Sequence, residues 1–196
     1  MPLDIVILGP PGAGKGTQGK LIGADAGIPH VNTGDMFRAE CAASTELGEH
    51  VQSILDAGDL VPDELTIEVV RTRLGQDDTA RGFVLDGFPR TLAQAEALDR
   101  VLVDIDRGEL CVVLDFQVSD DIAVQRLLGR AAVEGRSDDT PDKIQHRLQV
   151  YHEQSEPVVE YYRARGILVG IHADRTVQEV FSEVQEVLAT AQQTGA

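Results

Sequence analysis

Residues 3 to 17 read Leu3-Asp4-Ile5-Val6-Ile7-Leu8-Gly9-Pro10-Pro11-Gly12-Ala13-Gly14-Lys15-Gly16-Thr17, an apolar run that passes directly into a glycine-rich loop ending on a lysine. The run has the length and composition of a buried strand. Gly9, Gly12, Gly14 and Gly16 allow the backbone to curl so that successive N–H groups converge on one anion, with the positive end of the following helix behind them. Lys15 adds a mobile charge for terminal phosphates. The general pattern G-x-x-x-x-G-K-[ST] is met with one departure: Gly16 follows the lysine, and the hydroxyl comes one place later at Thr17. A plain Gly/Pro surface turn would need neither the lysine nor the strand.

Outward from this loop, strand-like runs recur at 28–31, 82–86, 110–116 and 167–171, each followed by a helical pattern. Such alternation builds a parallel sheet, and runs that are apolar on both faces predict helices above and below it. Leu98, Val101, Leu102 and Ile105 form one covering stripe. Val177, Val180, Phe181, Val184, Val187 and Leu188 form another, and both read as core. Two stretches break the alternation, a largely helical one over 32–61 and a short polar one over 130–139. Thr140 or Asp139 is expected to cap the next helix, with Pro141 in its first turn. In an open α/β sheet, insertions at the carboxyl ends of the strands close over a ligand.

The 196 residues, 42% hydrophobic, suffice for one compact domain. The chain opens on a core strand where a signal peptide would need a basic and then apolar leader, and no window suits a bilayer, so a cytoplasmic protein without membrane contact is expected. Cys41 and Cys111 lie far apart with no C-x-x-C, which supports neither a disulfide framework nor a zinc site; Cys111 reads as core filling. The net charge of −16 argues against nucleic acid as a partner. Lys15, Lys20 and Lys143 are the only lysines. Adaptation to high salt and an arginine-biased, soluble acidic surface both account for this balance, and activity across a salt series separates them. The amphipathic stripes have a sheet to cover and leave no spare apolar seam, so a monomer is expected.

Four further motifs carry chemistry: Asn32-Thr33-Gly34-Asp35-Met36-Phe37-Arg38; Asp86-Gly87-Phe88-Pro89-Arg90-Thr91-Leu92-Ala93-Gln94; Arg126 and Arg130, four apart on one helix face; and Arg136 with Arg147. Each has a bland alternative. Thr33 could cap a helix, Thr91-x-x-Gln94 is a capping box, Asp86 could cap a turn at its strand end, and any one arginine could sit in a surface ion pair with Asp138, Asp139 or another acid. Together with the glycine loop, these motifs resemble the adenylate kinases over essentially the whole chain.

The resemblance implies a P-loop NTPase-type α/β fold: a five-stranded parallel sheet with helices on both faces, a core of 1–31, 62–129 and 140–196, an NMP-binding insertion over 32–61 and a short lid over 130–139. It implies reversible, Mg²⁺-dependent transfer of the γ-phosphoryl group of ATP to AMP, giving two ADP. Lys15, Arg90, Arg130, Arg136 and Arg147 would stabilise the transferred group. The ATP site would comprise Gly12, Ala13, Gly14, Lys15, Gly16, Thr17, Arg126, Arg130 and Arg175. The AMP site would comprise Thr33, Arg38, Asp59, Leu60, Val61, Gly87, Phe88, Pro89, Arg90, Gln94, Arg136 and Arg147. Asp86, ending an apolar strand, would orient Mg²⁺ through water, and the lid lacks the cysteines that hold zinc in long-lid relatives.

Gln94 carries both a donor and an acceptor and can pair with an adenine edge. Relatives acting on UMP or CMP read S-A-G-D and G-F-P-R-N at the two motifs, whereas Thr33 and Thr91 stand here, which favours AMP. A kinase of alcohols would want an aspartate at the acceptor hydroxyl. A regulatory module that only binds nucleotide would have no use for two arginine-bearing insertions. A GTPase would carry N-K-x-D, which is absent.

Overall fold

The computed structural model describes residues 2–134, 136 and 138–194. Its core is a five-stranded parallel sheet in the order β2-β3-β1-β4-β5, with β1 at Leu3–Leu8, β2 at His30–Asn32, β3 at Gly82–Asp86, β4 at Val112–Gln117 and β5 at Leu168–His172. β1 and β3 match their expected ranges. β2, β4 and β5 are displaced by one or two residues toward their carboxyl ends, where pairing with the neighbouring strand, not composition, decides the limit.

Helices cover both faces. Ile5 and Ile7 of β1 join Val84, Leu114 and Phe116 under α1 (Lys15–Ala26) and α9 (Val177–Thr194). Val6 and Leu8, one residue out of phase, join Phe83 and Leu85 under α4 (Asp63–Leu74), α5 (Leu92–Asp104) and α8 (Glu156–Ala164). This two-sided burial explains the near-continuous apolar strands, and each fully buried aliphatic side chain contributes roughly 1.5–3 kcal/mol.

The first insertion holds α2 (Thr33–Ala42) and α3 (Glu46–Ala57), which enclose a small core of Phe37, Val51 and Val61. The second joins α6 (Asp120–Glu134) to α7 (Pro141–Val150), and Ala123, Leu127, Ile144 and Leu148 pack between these two flanking helices. α6 runs through Glu134, so Arg130 is helical rather than part of a loop, its helix-forming neighbours Arg-Ala-Ala carrying the helix on. Gly135 and Ser137 of the expected lid, and Met1, Gly195 and Ala196 of the expected core, lie outside the described residues. Thr140 is the residue before α7, without a side-chain capping bond, and Pro141 takes the first helical position. A π-helical turn over Tyr151–Ser155 joins α7 to α8.

Candidate active site

β2 and β3 and the turns after β1 and β5 place residues on one cavity of about 850 Å³ at the carboxyl edge of the sheet. Among the described residues Lys15, Lys20, Arg38, Arg90, Arg126, Arg130, Arg136, Arg147 and Arg175 line it, against two acids, Asp35 and Asp86. A molecule of net charge −16 thus gathers nine of its seventeen basic side chains in one place. Such a concentration selects a polyanion.

The glycine loop forms the floor. Gly9, Gly12 and Gly14 have φ of 135°, 87° and 86°, and a Cβ on Gly12 would stand 2.6 Å from the carbonyl oxygen of Ala123. Gly16 does not share this conformation. It lies in the first turn of α1, where its missing side chain leaves room beside Asp86 Oδ2, 3.7 Å from the place of a Cβ. Gly14 precedes α1 without a capping side chain, which leaves the first N–H groups of the helix for an anion. Ala13 is buried under the loop, and Thr17 lines the cavity. Lys15 Nζ donates to the carbonyls of Gly9 and Pro10. Burial pushes its pKa down to about 8, with Arg90, Arg147 and Arg130 acting the same way and Asp86 opposing them.

Register places Asn32 of β2 beside Asp86 of β3. Asn32 Nδ2 donates to Asp86 Oδ2 at 2.6 Å, and His30 Nε2 lies 3.2 Å from the same oxygen. Burial raises the pKa of this carboxyl, but His30, Lys15 and Asn32 outweigh it and hold it below the ordinary carboxylate range. Oδ1 has no hydrogen-bond partner among the described residues, and Asp86 lines the cavity. An anionic oxygen left open there fits a hydrated Mg²⁺, which keeps its waters and takes few protein ligands. Among the described residues no group of three or more His, Cys, Asp or Glu side chains could hold a metal ion. Asn32 and His30 were not recognisable from sequence as partners of Asp86, because only strand pairing unites them.

Asn32, not Thr33, caps α2, by accepting from the N–H of Asp35 at 2.9 Å. Thr33 Oγ1 instead donates to the carbonyl of Gly87 at 2.9 Å, tying the first insertion to the turn after β3. That turn also carries Arg90, whose Nε donates to the same carbonyl at 2.8 Å. Burial and the nearby Arg147 push Arg90 down to about 10, against Asp86. Thr33, Phe37, Asp59, Leu60, Val61, Gly87, Arg90 and Gln94 line a slot beside the main cavity. Pro89 lines an adjoining pocket, whereas Phe88 is a core side chain and can serve a ligand only through its backbone. Arg38, on the rim of the main cavity, pairs with Asp35 at 2.5 Å. Asp59 pairs with His146 of α7 at 2.6 Å, a contact between the first insertion and the helix after the lid.

The lid arginines are held by two adjacent aspartates. Asp139, fully buried, accepts from Arg130 Nε and Nη2 at 2.7 and 2.8 Å and from Arg147 at 2.7 Å. Asp138 accepts from Arg136 at 2.9 and 2.6 Å and lies 3.0 Å from Arg147. Burial pushes Asp138 up, but Arg136 and Arg147 outweigh it and bring the carboxyl down to about 2. Ion pairs with these two acids therefore do form, yet they bundle three guanidiniums at one cavity wall instead of dispersing them over the surface. With five N–H donors each, Arg130 and Arg147 have capacity beyond these contacts.

At the far end Arg126 Nη2 reaches the carbonyl of Arg175 at 3.5 Å, and Arg175 pairs with Glu183. Val177 does not join the core stripe expected of α9. It is 53% exposed and lines the cavity next to Arg175, because it is the first residue of the helix and precedes the buried positions. Cys111 is half-buried rather than core, and both cysteines are free thiols.

Residues 7–167 match the family model described as adenylate kinase. The chain is 48% identical over 186 residues to the adenylate kinase of Thermobifida fusca, covering 95% of this chain and 98% of that one. It is 50% identical over 184 residues to the adenylate kinase of Kocuria rhizophila, covering 94% and 97%. It is 49% identical over 187 residues to that of Mycobacteroides abscessus, covering 95% and 99%.

Proposed function

The chain belongs to the adenylate kinase family and transfers the γ-phosphoryl group of ATP reversibly to AMP, giving two ADP; we propose that the residues of the arginine-lined cavity divide this work as follows. The glycine loop from Gly12 to Thr17 holds the phosphates of ATP, with Lys15 on the terminal ones. Arg126, Arg175 and the exposed face of Val177 take the donor base and its approach. Thr33, Asp59, Leu60, Val61, Gly87, Pro89 and Gln94 form the slot for the AMP nucleoside, and Arg38 and Arg90 take its phosphate. Arg130, Arg136 and Arg147 reach the group in transit from the lid.

The observation that carries this reading is the convergence of Lys15, Arg90, Arg130, Arg136 and Arg147 on one cavity between the donor loop and the acceptor slot. Phosphoryl transfer asks the protein mainly to position two nucleotides and to stabilise charge on the equatorial oxygens. No residue has to act as a base. The acceptor is a phosphate monoester with a second pKa of about 6, so its oxygen is already ionised at neutral pH. Asp86 would hold Mg²⁺ through water, and the ion when bound would draw charge from the phosphate oxygens. Asn32 and His30 keep the Asp86 carboxylate ionised and aimed.

Water competes with AMP as acceptor wherever ATP meets solvent, so closure of the two insertions brings the lid guanidiniums in as it shuts water out. The Asp59–His146 pair and the Thr33–Gly87 bond support an insertion already drawn toward the core. We also assign the enzyme to the cytoplasm as a monomer. Among the described residues no helix is long and apolar enough to cross a membrane.

A coupled assay with ATP and AMP, UMP, CMP or GMP tests the acceptor assignment. AMP is expected to be preferred by at least about tenfold in kcat/KM. Equal rates with UMP or CMP would overturn it.

A further inference from the structure

The carboxamide of Gln94 is held at both ends. Its Oε1 accepts from the backbone N–H of Arg90 at 2.8 Å, and its Nε2 donates to Oδ1 of Asp63 at 2.7 Å. Asp63 opens α4 and lies outside every motif that the sequence brings forward. Its other oxygen, Oδ2, accepts from Thr91 Oγ1 at 2.9 Å, and that hydroxyl accepts in turn from the N–H of Gln94 at 3.2 Å. The capping box of α5 is thus altered. Gln94 reaches back to the N–H of Arg90, one residue before the cap, because Asp63 draws its amide away from Thr91.

A primary amide can turn by 180° about its last bond, exchanging donor and acceptor at almost constant shape. Its direction is therefore set by its partners. A carboxylate only accepts and a backbone N–H only donates, so Asp63 and Arg90 demand the same direction of Gln94. Reversal would face oxygen with carboxylate and N–H with N–H, losing both bonds, one of them charge-assisted.

We propose that Asp63 is a positioning residue that sets the base selectivity of the acceptor site by fixing the direction of the Gln94 amide. The proposal rests on the reading of the slot as the AMP nucleoside site. In the fixed direction Gln94 keeps one lone pair on Oε1 and one hydrogen on Nε2 for the base. That pattern complements a 6-aminopurine, whose exocyclic amine donates beside a ring nitrogen that accepts. A 6-oxopurine presents an acceptor and a ring N–H at the same edge, which match only the reversed amide. Asp63 excludes that amide.

Asp63→Asn offers Gln94 a partner that can donate as well as accept, which removes the charge-assisted half of the constraint and leaves only the Arg90 N–H to direct the amide. Steady-state assays with ATP and either AMP or IMP, two acceptors that differ at the 6-position edge, are run on this variant and on Gln94→Ala. For Asp63→Asn the preference for AMP over IMP in kcat/KM should fall by about tenfold. The KM for AMP should rise, while the KM for ATP and the kcat at saturating AMP stay within about threefold of the parent enzyme. An unchanged AMP-to-IMP ratio in Asp63→Asn, with Gln94→Ala losing it, would overturn the role of Asp63 and leave Gln94 as the reader. An unchanged KM for AMP in Gln94→Ala would overturn the acceptor-site reading itself. Should Asp63→Asn fail to fold, Asp63→Ser keeps a residue suited to a helix start, removes the acceptor-only partner and goes through the same assays.

Discussion

Lys15 Nζ donates to the carbonyl of Gly9 at 2.7 Å, so the ammonium lies folded over the loop that precedes it. A second bond, to Pro10 at 2.8 Å, fixes it there. The cation is thereby held at the floor of the cavity, and an anionic oxygen entering there would exchange with a carbonyl rather than with bulk water.

With a pKa of about 8, Lys15 loses its charge in the free enzyme as pH rises through that value. kcat/KM for ATP, which reports the free enzyme, should therefore fall between about pH 7 and pH 9, and Lys15→Arg should flatten the fall while lowering the plateau. Stability takes the opposite sign. Between about 8 and the ordinary 10.5 the unfolded chain binds a proton that the folded protein has lost, so this residue adds stability as pH rises through that window. Lys15→Met should remove that increment, as read from denaturant melts across the same range.

Arg90 joins the acceptor turn to the cavity through Gly87 and Gln94. Arg90→Ala should lower kcat by about 10²- to 10³-fold, the cost of removing one fixed charge donor from a transition state. Thermal unfolding should move only slightly, since the bond from the Arg90 N–H to Gln94 is a backbone one and survives. A near-normal kcat would remove Arg90 from the catalytic set.

At the other end of the sheet, Arg107 Nη1 meets Asp4 Oδ1 at 2.5 Å, with both side chains buried and the guanidinium 5.3 Å above the Phe83 ring. Burial raises the Asp4 pKa even against the pull of Arg107. Arg107→Met should cost about 3–5 kcal/mol by leaving the carboxylate uncompensated. The double variant Asp4→Asn with Arg107→Met should recover most of the loss in urea denaturation.

Tyr162 is fully buried among Val158, Leu98 and Leu102, and its hydroxyl has no hydrogen-bond partner among the described residues. Tyr162→Phe removes a desolvated donor without changing the ring. Stability should rise by about 1 kcal/mol, seen as a gain of about 2–4 °C in Tm, with activity unchanged.

The glycine loop and the strand before it were legible because their signal is local: apolar period, positive-φ residues and a lysine within fifteen positions. So were Arg38, Arg90, Arg126, Arg130, Arg136 and Arg147, which the motifs single out and which all line the cavity. Contacts that depend on register or on packing of distant elements were not legible. His30 and Asn32 meet Asp86 only through the pairing of β2 with β3. Asp63 meets Gln94 across thirty-one positions of chain. Val177 continues the hydrophobic period of α9 and yet faces the ligand cavity, a distinction that the period itself does not carry.

The first insertion encloses a small core of its own, Phe37 with Val51 and Val61, whereas Ala123, Leu127, Ile144 and Leu148 pack between the two helices that flank the second. Only the first insertion is therefore packed from within. The connector between Glu134 and Pro141 carries Asp138 and Asp139, which gather Arg130, Arg136 and Arg147, so a foreign segment grafted there would have to supply two carboxylates at the same places or let the guanidinium bundle disperse.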